Sequence, residues 1–105
     1  MRFDVQLSPT AEADLEHLFD FLLDPAETAE DLDHVQAAID AIRATATHRL
    51  AISPFSFRKA ARNPAQRELI IPFGGTGHVA LYEIVSASKV IVLAVRHQRE
   101  EDYHR

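Results

Sequence analysis

The chain contains no cysteine. A disulfide framework and thiolate metal sites are therefore excluded, and the composition fits a reducing cytoplasm. No apolar run approaches the roughly 18 residues that a membrane span needs, so no membrane partner is expected. The opening MRFDVQLSP carries Asp4 and lacks the apolar core, about 7–15 residues long, of a secretory signal. Cations are almost missing from the first forty residues, where Arg2 stands against eleven acids, a formal −10. The remaining residues reverse the balance, with ten cations against five acids, a formal +5. The net charge of −5 thus hides two halves that present opposite fields to partners. The simpler reading of the acids in the first half, and the one favoured, is that they solvate helix faces.

What is present is an ordinary globular composition. At 105 residues and 47% apolar, the chain is expected to form a single domain, 1–105, with one modest core and little stability to spare. The clearest internal feature is the stretch from Lys89 to Tyr103. Val90 to Val95 is an unbroken apolar run and predicts a strand buried on both faces. Arg96, His97, Gln98, Arg99 and an acidic triplet follow without a break, so a core strand delivers a polar cluster to its own end.

Earlier in the chain, Phe3, Val5 and Leu7 alternate with polar residues and predict a short half-buried strand. Ser8-Pro9 then opens a helix, with serine as cap and proline at the first helical position. Leu15, Leu18, Phe19 and Leu22 form its apolar face. Asp24-Pro25-Ala26-Glu27 predicts a second helix start, with Asp24 as cap and Glu27 completing a capping box. Leu32, Val35, Ile39, Ile42 and Ala46 supply that helix's stripe, and the short link predicts an antiparallel helical hairpin. Residues 47–66 are less regular, with Pro54 and Pro64 as breaks and Phe55 and Phe57 as candidate pins onto the core.

Arg67–Phe73, His78–Val85 and Lys89–Arg96 predict a three-strand meander, joined by Gly74-Gly75-Thr76-Gly77 and Ser86-Ala87-Ser88. Pro72 places the end of the first of these strands at an edge or bulge. The predicted fold class is α+β with the order β-α-α-β-β-β. An antiparallel helical hairpin packs on one face of a mostly antiparallel four-stranded sheet, and the last strand lies in the sheet interior.

None of the six histidines falls in an HExxH or another ligand spacing, so no metal is expected. The Gly74–Gly77 turn lacks the lysine and following helix of a phosphate loop. No cofactor is called for. From Arg43 to Arg67 there are six cations and no acid. Such a stretch can bind phosphate or an acidic partner, or simply be a solvated basic loop. The remaining chemistry lies in Arg67, Arg96, His97, Arg99 and Tyr103, with Tyr82 nearby in the meander. Arginine stabilises phosphate charge and His or Tyr can move protons, which suits RNA cleavage by a 2′-OH. The same arginines can grip carboxylates of a protein partner or pair with acids of their own surface. The residue types alone do not choose between these.

The opening FDVQLSPTAEADL, the arginine of RELIIPF, the strand GHVALYEI and above all VLAVRHQREEDY resemble the RelE/ParE superfamily of bacterial toxins from type II toxin–antitoxin modules. The V-x-x-V-R-H-x-R pattern is similar to the ParE-like branch, and the resemblance spans nearly the whole chain. It implies a toxin held inactive by a cognate ParD-like or RelB-like antitoxin in a hetero-oligomer. In the ParE branch the target is DNA gyrase, with no catalytic reaction of the toxin established. In the RelE branch a metal-independent ribonuclease cleaves mRNA on the ribosome. The RelE alternative would use Arg67, Arg96, His97, Arg99 and Tyr103 in catalysis. A third alternative is a non-toxic relative that only binds antitoxin. RelE-type ribonucleases are usually strongly basic, whereas this chain is at −5 and Glu100-Glu101-Asp102 follow its arginines. The resemblance therefore favours the gyrase-directed branch, with no confident catalytic residue. Antitoxin or target contacts are expected from Arg58, Lys59, Arg62, Arg67, Tyr82, Arg96, His97, Arg99 and Tyr103.

Overall fold

The computed structural model describes residues 2–60, 63–73 and 76–97. Its elements are β1 (Asp4–Leu7), α1 (Pro9–Leu23), α2 (Ala29–Ile52), a 3-10 turn (Pro54–Ser56), β2 (Arg58–Lys59), β3 (Gln66–Phe73), β4 (Thr76–Ile84) and β5 (Lys89–His97). The five strands form one sheet in the order β1-β5-β4-β3-β2. β1 runs parallel to β5 and every other pairing is antiparallel. The α+β class, the helical hairpin and the interior place of β5 are as expected. The sheet has five strands rather than four, because two residues of the supposed basic loop pair with β3 as β2.

Helix α1 starts as its sequence dictates. The Ser8 hydroxyl accepts from the Ala11 N–H, and Pro9 occupies the first turn. The start of α2 differs from expectation. Its cap is Thr28, not Asp24, and Asp31, not Glu27, completes the capping box. Asp24 instead ends α1, its N–H bonded to the Asp20 carbonyl. The Thr28–Asp31 pair meets the same capping rule four residues later, and Pro25 serves to stop one helix rather than to begin the next. The Asp31 carboxyl is held below its ordinary value, chiefly by the Glu27 N–H that also donates to it.

The core lies between the hairpin and one face of the sheet. Ala11 and Leu15 of α1, with Ile39, Ile42, Ala46 and Leu50 of α2, pack on Leu69, Ile71, Ala80, Tyr82, Val90 and Val92. The buried positions of α2 begin only at Ile39, and Leu32, expected in the stripe, is 43% exposed. The apolar run of β5 is not uniformly buried either. Val90 and Val92 are buried while Ile91, Leu93 and Val95 are half-buried. Ile91 lies opposite Glu83 on the face that no described helix covers, so it is less deeply buried than Val90 and Val92.

A bulge interrupts β5 at Leu93. Leu81 of β4 faces Ala94 while Tyr82 faces Val92, which leaves Leu93 without a register partner. The extra residue reverses the alternation beyond it. In a regular strand Arg96 would share the covered face with Val90 and Val92. With the bulge it sits opposite Val79, on the open face, and His97 takes the covered side opposite His78. The start of α1 holds this irregularity in place. The Ser8 hydroxyl donates to the Leu93 carbonyl at 3.0 Å, and the Asp14 carboxylate accepts from the Val95 N–H at 2.7 Å.

Candidate functional site

The register divides the expected binding residues between the two faces of the sheet. On the open face, Arg58 of β2 lies opposite Glu68 of β3, and its Nε donates to Glu68 Oε1 at 2.9 Å. Arg96 approaches the other carboxylate oxygen at 3.8 Å. Glu68 therefore sits between two arginines, with Gln66 hydrogen-bonded to Glu83 beside it. Arg58 is the accessible member, with about half of its side chain exposed (54%), against 11% for Arg96. The Arg96 Nη1 also donates to the His97 carbonyl. Arg96 is thus built into the sheet surface and is not the freely presented group that its place at the strand end suggested.

On the other face, Lys59 lies opposite Arg67, and Arg67 opposite Tyr82. Arg67 bridges β3 to the 3-10 turn. Its Nη1 donates to the carbonyls of Phe57 (2.9 Å) and Phe55 (3.3 Å), and its guanidinium lies 5.8 Å from the Phe55 ring centroid. Tyr82 is fully buried and donates its hydroxyl to the Pro54 carbonyl. Burial pushes this phenol up to about 12, against the smaller opposing pull of the Arg67 charge. Tyr82 therefore presents nothing to a partner, which removes it from the expected contact set. At neutral pH it is also far from the ionisation that a general base needs. The pairing explains how the turn is fixed. Arg67 and Tyr82 hold its carbonyls, and Phe57 packs on the core under Arg49, whose guanidinium lies 4.8 Å from the ring centroid. Phe55, the other expected pin, is 62% exposed and meets only the edge of Phe3 among the aromatic rings described.

At the far end of β5, His97 lies edge-on to the buried His78, with ring centroids 5.5 Å apart. Arg62, Arg99 and Tyr103 lie outside the described residues. Among the described residues no group of three His, Cys, Asp or Glu is placed to hold a metal, and no helix is long and apolar enough to cross a membrane.

Several surface groups escaped sequence reasoning. Glu68, the acid between the two arginines, carries no signal in the sequence beyond its place in a strand. Ile52, the last residue of α2, is more than half exposed, as is the nearby Phe55 of the 3-10 turn. Phe21, at the hairpin tip, is 66% exposed. A signal existed for Ile52 and Phe21, since both fall off the three-and-four spacing of their helix's buried stripe.

A small α+β protein with a helical hairpin on a bulged mixed sheet, basic at one sheet edge and acidic along its helices, has a counterpart among solved structures. A chain from a structure described as the chromosomal ParDE toxin–antitoxin system from P. aeruginosa superposes with a TM-score of 0.70. The match covers 91% of this chain and 96% of the other at 12% identity, which establishes the shared fold. The family model described as the ParE toxin of the type II toxin–antitoxin system, parDE, matches residues 5–102. The chain belongs to this ParE toxin family. No curated protein matches it in sequence.

Proposed function

We propose that this type II toxin acts by docking on DNA gyrase in the cytoplasm, without a catalytic reaction of its own, and that a cognate ParD-like antitoxin neutralises it. The observation that supports this reading over RNA cleavage is the commitment of Arg67 and Tyr82 to the Pro54–Phe57 turn. A ribonuclease needs an arginine free to meet phosphate and a group able to move a proton. Here the arginine bonds backbone carbonyls and the tyrosine is buried. The acidic balance of the chain points the same way, since an RNA target would be repelled by the −10 half.

In this reading Arg58 and Lys59, exposed on β2, are the first contacts for antitoxin or target. His97, Arg96 and the remaining candidates Arg62, Arg99 and Tyr103 contribute around them. Arg58→Ala with Lys59→Ala is expected to weaken antitoxin affinity, and unchanged affinity would remove β2 from the interface. The target is tested by a gyrase supercoiling and cleavage assay run beside mRNA cleavage on translating ribosomes. Inhibited supercoiling or trapped cleavage complexes, with intact mRNA, is the expected result. Ribosome-dependent cleavage with unaffected gyrase overturns the proposal in favour of a RelE-type ribonuclease. Inactivity in both assays with antitoxin binding retained assigns the chain to a pure binding module.

A further inference from the structure

Two exposed apolar features stand at opposite ends of α2, one in an acidic and one in a basic stretch of the chain. The first is at the tip of the helical hairpin. Asp20, Phe21, Leu22, Asp24 and Pro25 line a shallow, mostly apolar concavity. Phe21 is 66% exposed there, and the neighbouring start of α2 adds Glu27, Glu30, Asp31 and Asp33. No cation lies between Arg2 and Arg43.

The second feature is the patch just past the end of α2. Phe55 of the 3-10 turn is 62% exposed, with Phe3 in an edge contact at 6.0 Å, and Ile52, three residues earlier at the end of α2, is 51% exposed. Arg67 lies 5.8 Å from the Phe55 ring centroid, Lys59 is the register partner of Arg67, and Arg49 lies over Phe57 of the same segment; residues 41–67 contain no acid. Of the nearby cations, Arg43 is paired with Glu12 and Arg58 with Glu68, while Arg49 and Lys59 form no ion pair among the described residues.

These surfaces cannot meet within one molecule. Helix α2 separates them, and its 24 residues span about 36 Å at about 1.5 Å per residue. We propose that the chain associates with itself head to tail, Phe55 of one copy entering the Phe21–Leu22–Pro25 concavity of the next. Arg49 and Lys59 then face Asp20 and Asp24 across the contact. The interface is heterologous, because different surfaces of the two copies meet, so each added copy leaves one knob and one hollow open. A contact built on one aromatic ring and its rim is small beside standard protein interfaces, so the association is weak and reversible. It is also sensitive to ionic strength, because its charges lie at the rim. This inference is independent of the gyrase assignment.

Sedimentation velocity on the purified full chain tests it. The weight-average sedimentation coefficient is expected to climb with protein concentration and to fall back at high salt. Phe55→Ser and Phe21→Ser each remove one half of the contact at an exposed position, and each variant alone is expected to remain monomeric with an unchanged circular dichroism spectrum. An equimolar mixture of the two is expected to form a 1:1 dimer and nothing larger, since the mixture retains one knob and one hollow that match. Arg49→Glu with Lys59→Glu is expected to abolish association, and adding Asp20→Lys with Asp24→Lys in the mixing partner to restore it. A sedimentation coefficient that stays flat with concentration overturns the proposal. So does a mixture of the two serine variants that stays monomeric, because a symmetric contact would not complement in this way. Loss of antitoxin binding by Phe55→Ser in a chain that never self-associates also overturns it and gives the patch to the antitoxin.

Discussion

The two faces of the sheet solve different problems. The covered face is a set of apolar shapes, Leu69, Ile71, Ala80, Val90 and Val92, fitted to the hairpin. The open face is held by charges, Arg58 and Arg96 about Glu68, with Gln66 and Glu83 beside them. On the first, removing atoms leaves a void that the surroundings cannot fill. On the second, solvent can replace much of what is lost. The comparison teaches which arginines are free to serve a partner, because the face on which a side chain lies decides how much of it is already engaged.

The strongest way to break the comparison is a large cavity on the covered side. Leu50 is fully buried, and Leu50→Ala is expected to lower unfolding free energy by about 3 kcal/mol in urea denaturation. Next is the seam where helix meets strand. Asp14→Ala removes the acceptor for the Val95 N–H and is expected to cost about 2 kcal/mol by the same measurement. If it costs nothing, the bulge does not depend on α1. Tyr82→Phe leaves the Pro54 carbonyl without its donor and is expected to cost about 1 kcal/mol.

The same tyrosine sets an alkaline limit. Its folded value of about 12 lies above the ordinary 10.0, so the unfolded chain loses the proton first as pH rises. Its contribution is therefore complete below about pH 10 and is lost progressively as pH climbs towards 12. Thermal melts across that interval should show a falling midpoint, and Tyr82→Phe should flatten the slope. The smallest effect is on the open face. Arg58→Ala is expected to change stability by only about 0.5 kcal/mol, since more than half of its side chain is solvated. A loss several times larger would show the Glu68 pair to be structural and would blur the distinction between the faces.

Much of this architecture was legible in the residues. Ser8-Pro9 announced α1, the Ile39–Ile42–Ala46 spacing announced the buried face of α2, and the Lys89–Arg96 run announced an interior strand. Other features were legible only in part, for reasons that are physical. Two capping boxes competed at the α2 start, and local rules favour both Asp24 and Thr28 until the hairpin fixes the path of the chain. A bulge has no composition of its own, so nothing in KVIVLAVRH shows that Leu93 drops out of register. Its effect on the candidate site is large, because one unpaired residue exchanges the sides on which Arg96 and His97 lie. Strand β2 is two charged residues long and gains its place only from β3. The sequence marks Arg67 and Tyr82 as candidate contacts, and in the structure both bond the Pro54–Phe57 turn. Their partners are carbonyls of a turn distant in sequence, which no periodicity reveals.

The parallel pairing of β1 with β5 carries one more consequence, for the order in which the molecule is assembled. Asp4–Leu7 finds its neighbour only in Lys89–Val92, and the carbonyl that Ser8 meets and the N–H that Asp14 meets both belong to that same last strand. A chain still emerging from the ribosome can wind its two helices and bring α2 onto β3, but α1 has its main strand neighbour in β5 and cannot be seated until β5 is out. Sheet closure joins the ends of the described chain and is therefore a late event, slowed by the long loop it must close. Until then the apolar stripe of α1 is uncovered, and in that interval the nascent protein is open to proteases, chaperones or whatever partner reaches that stripe before β5 does.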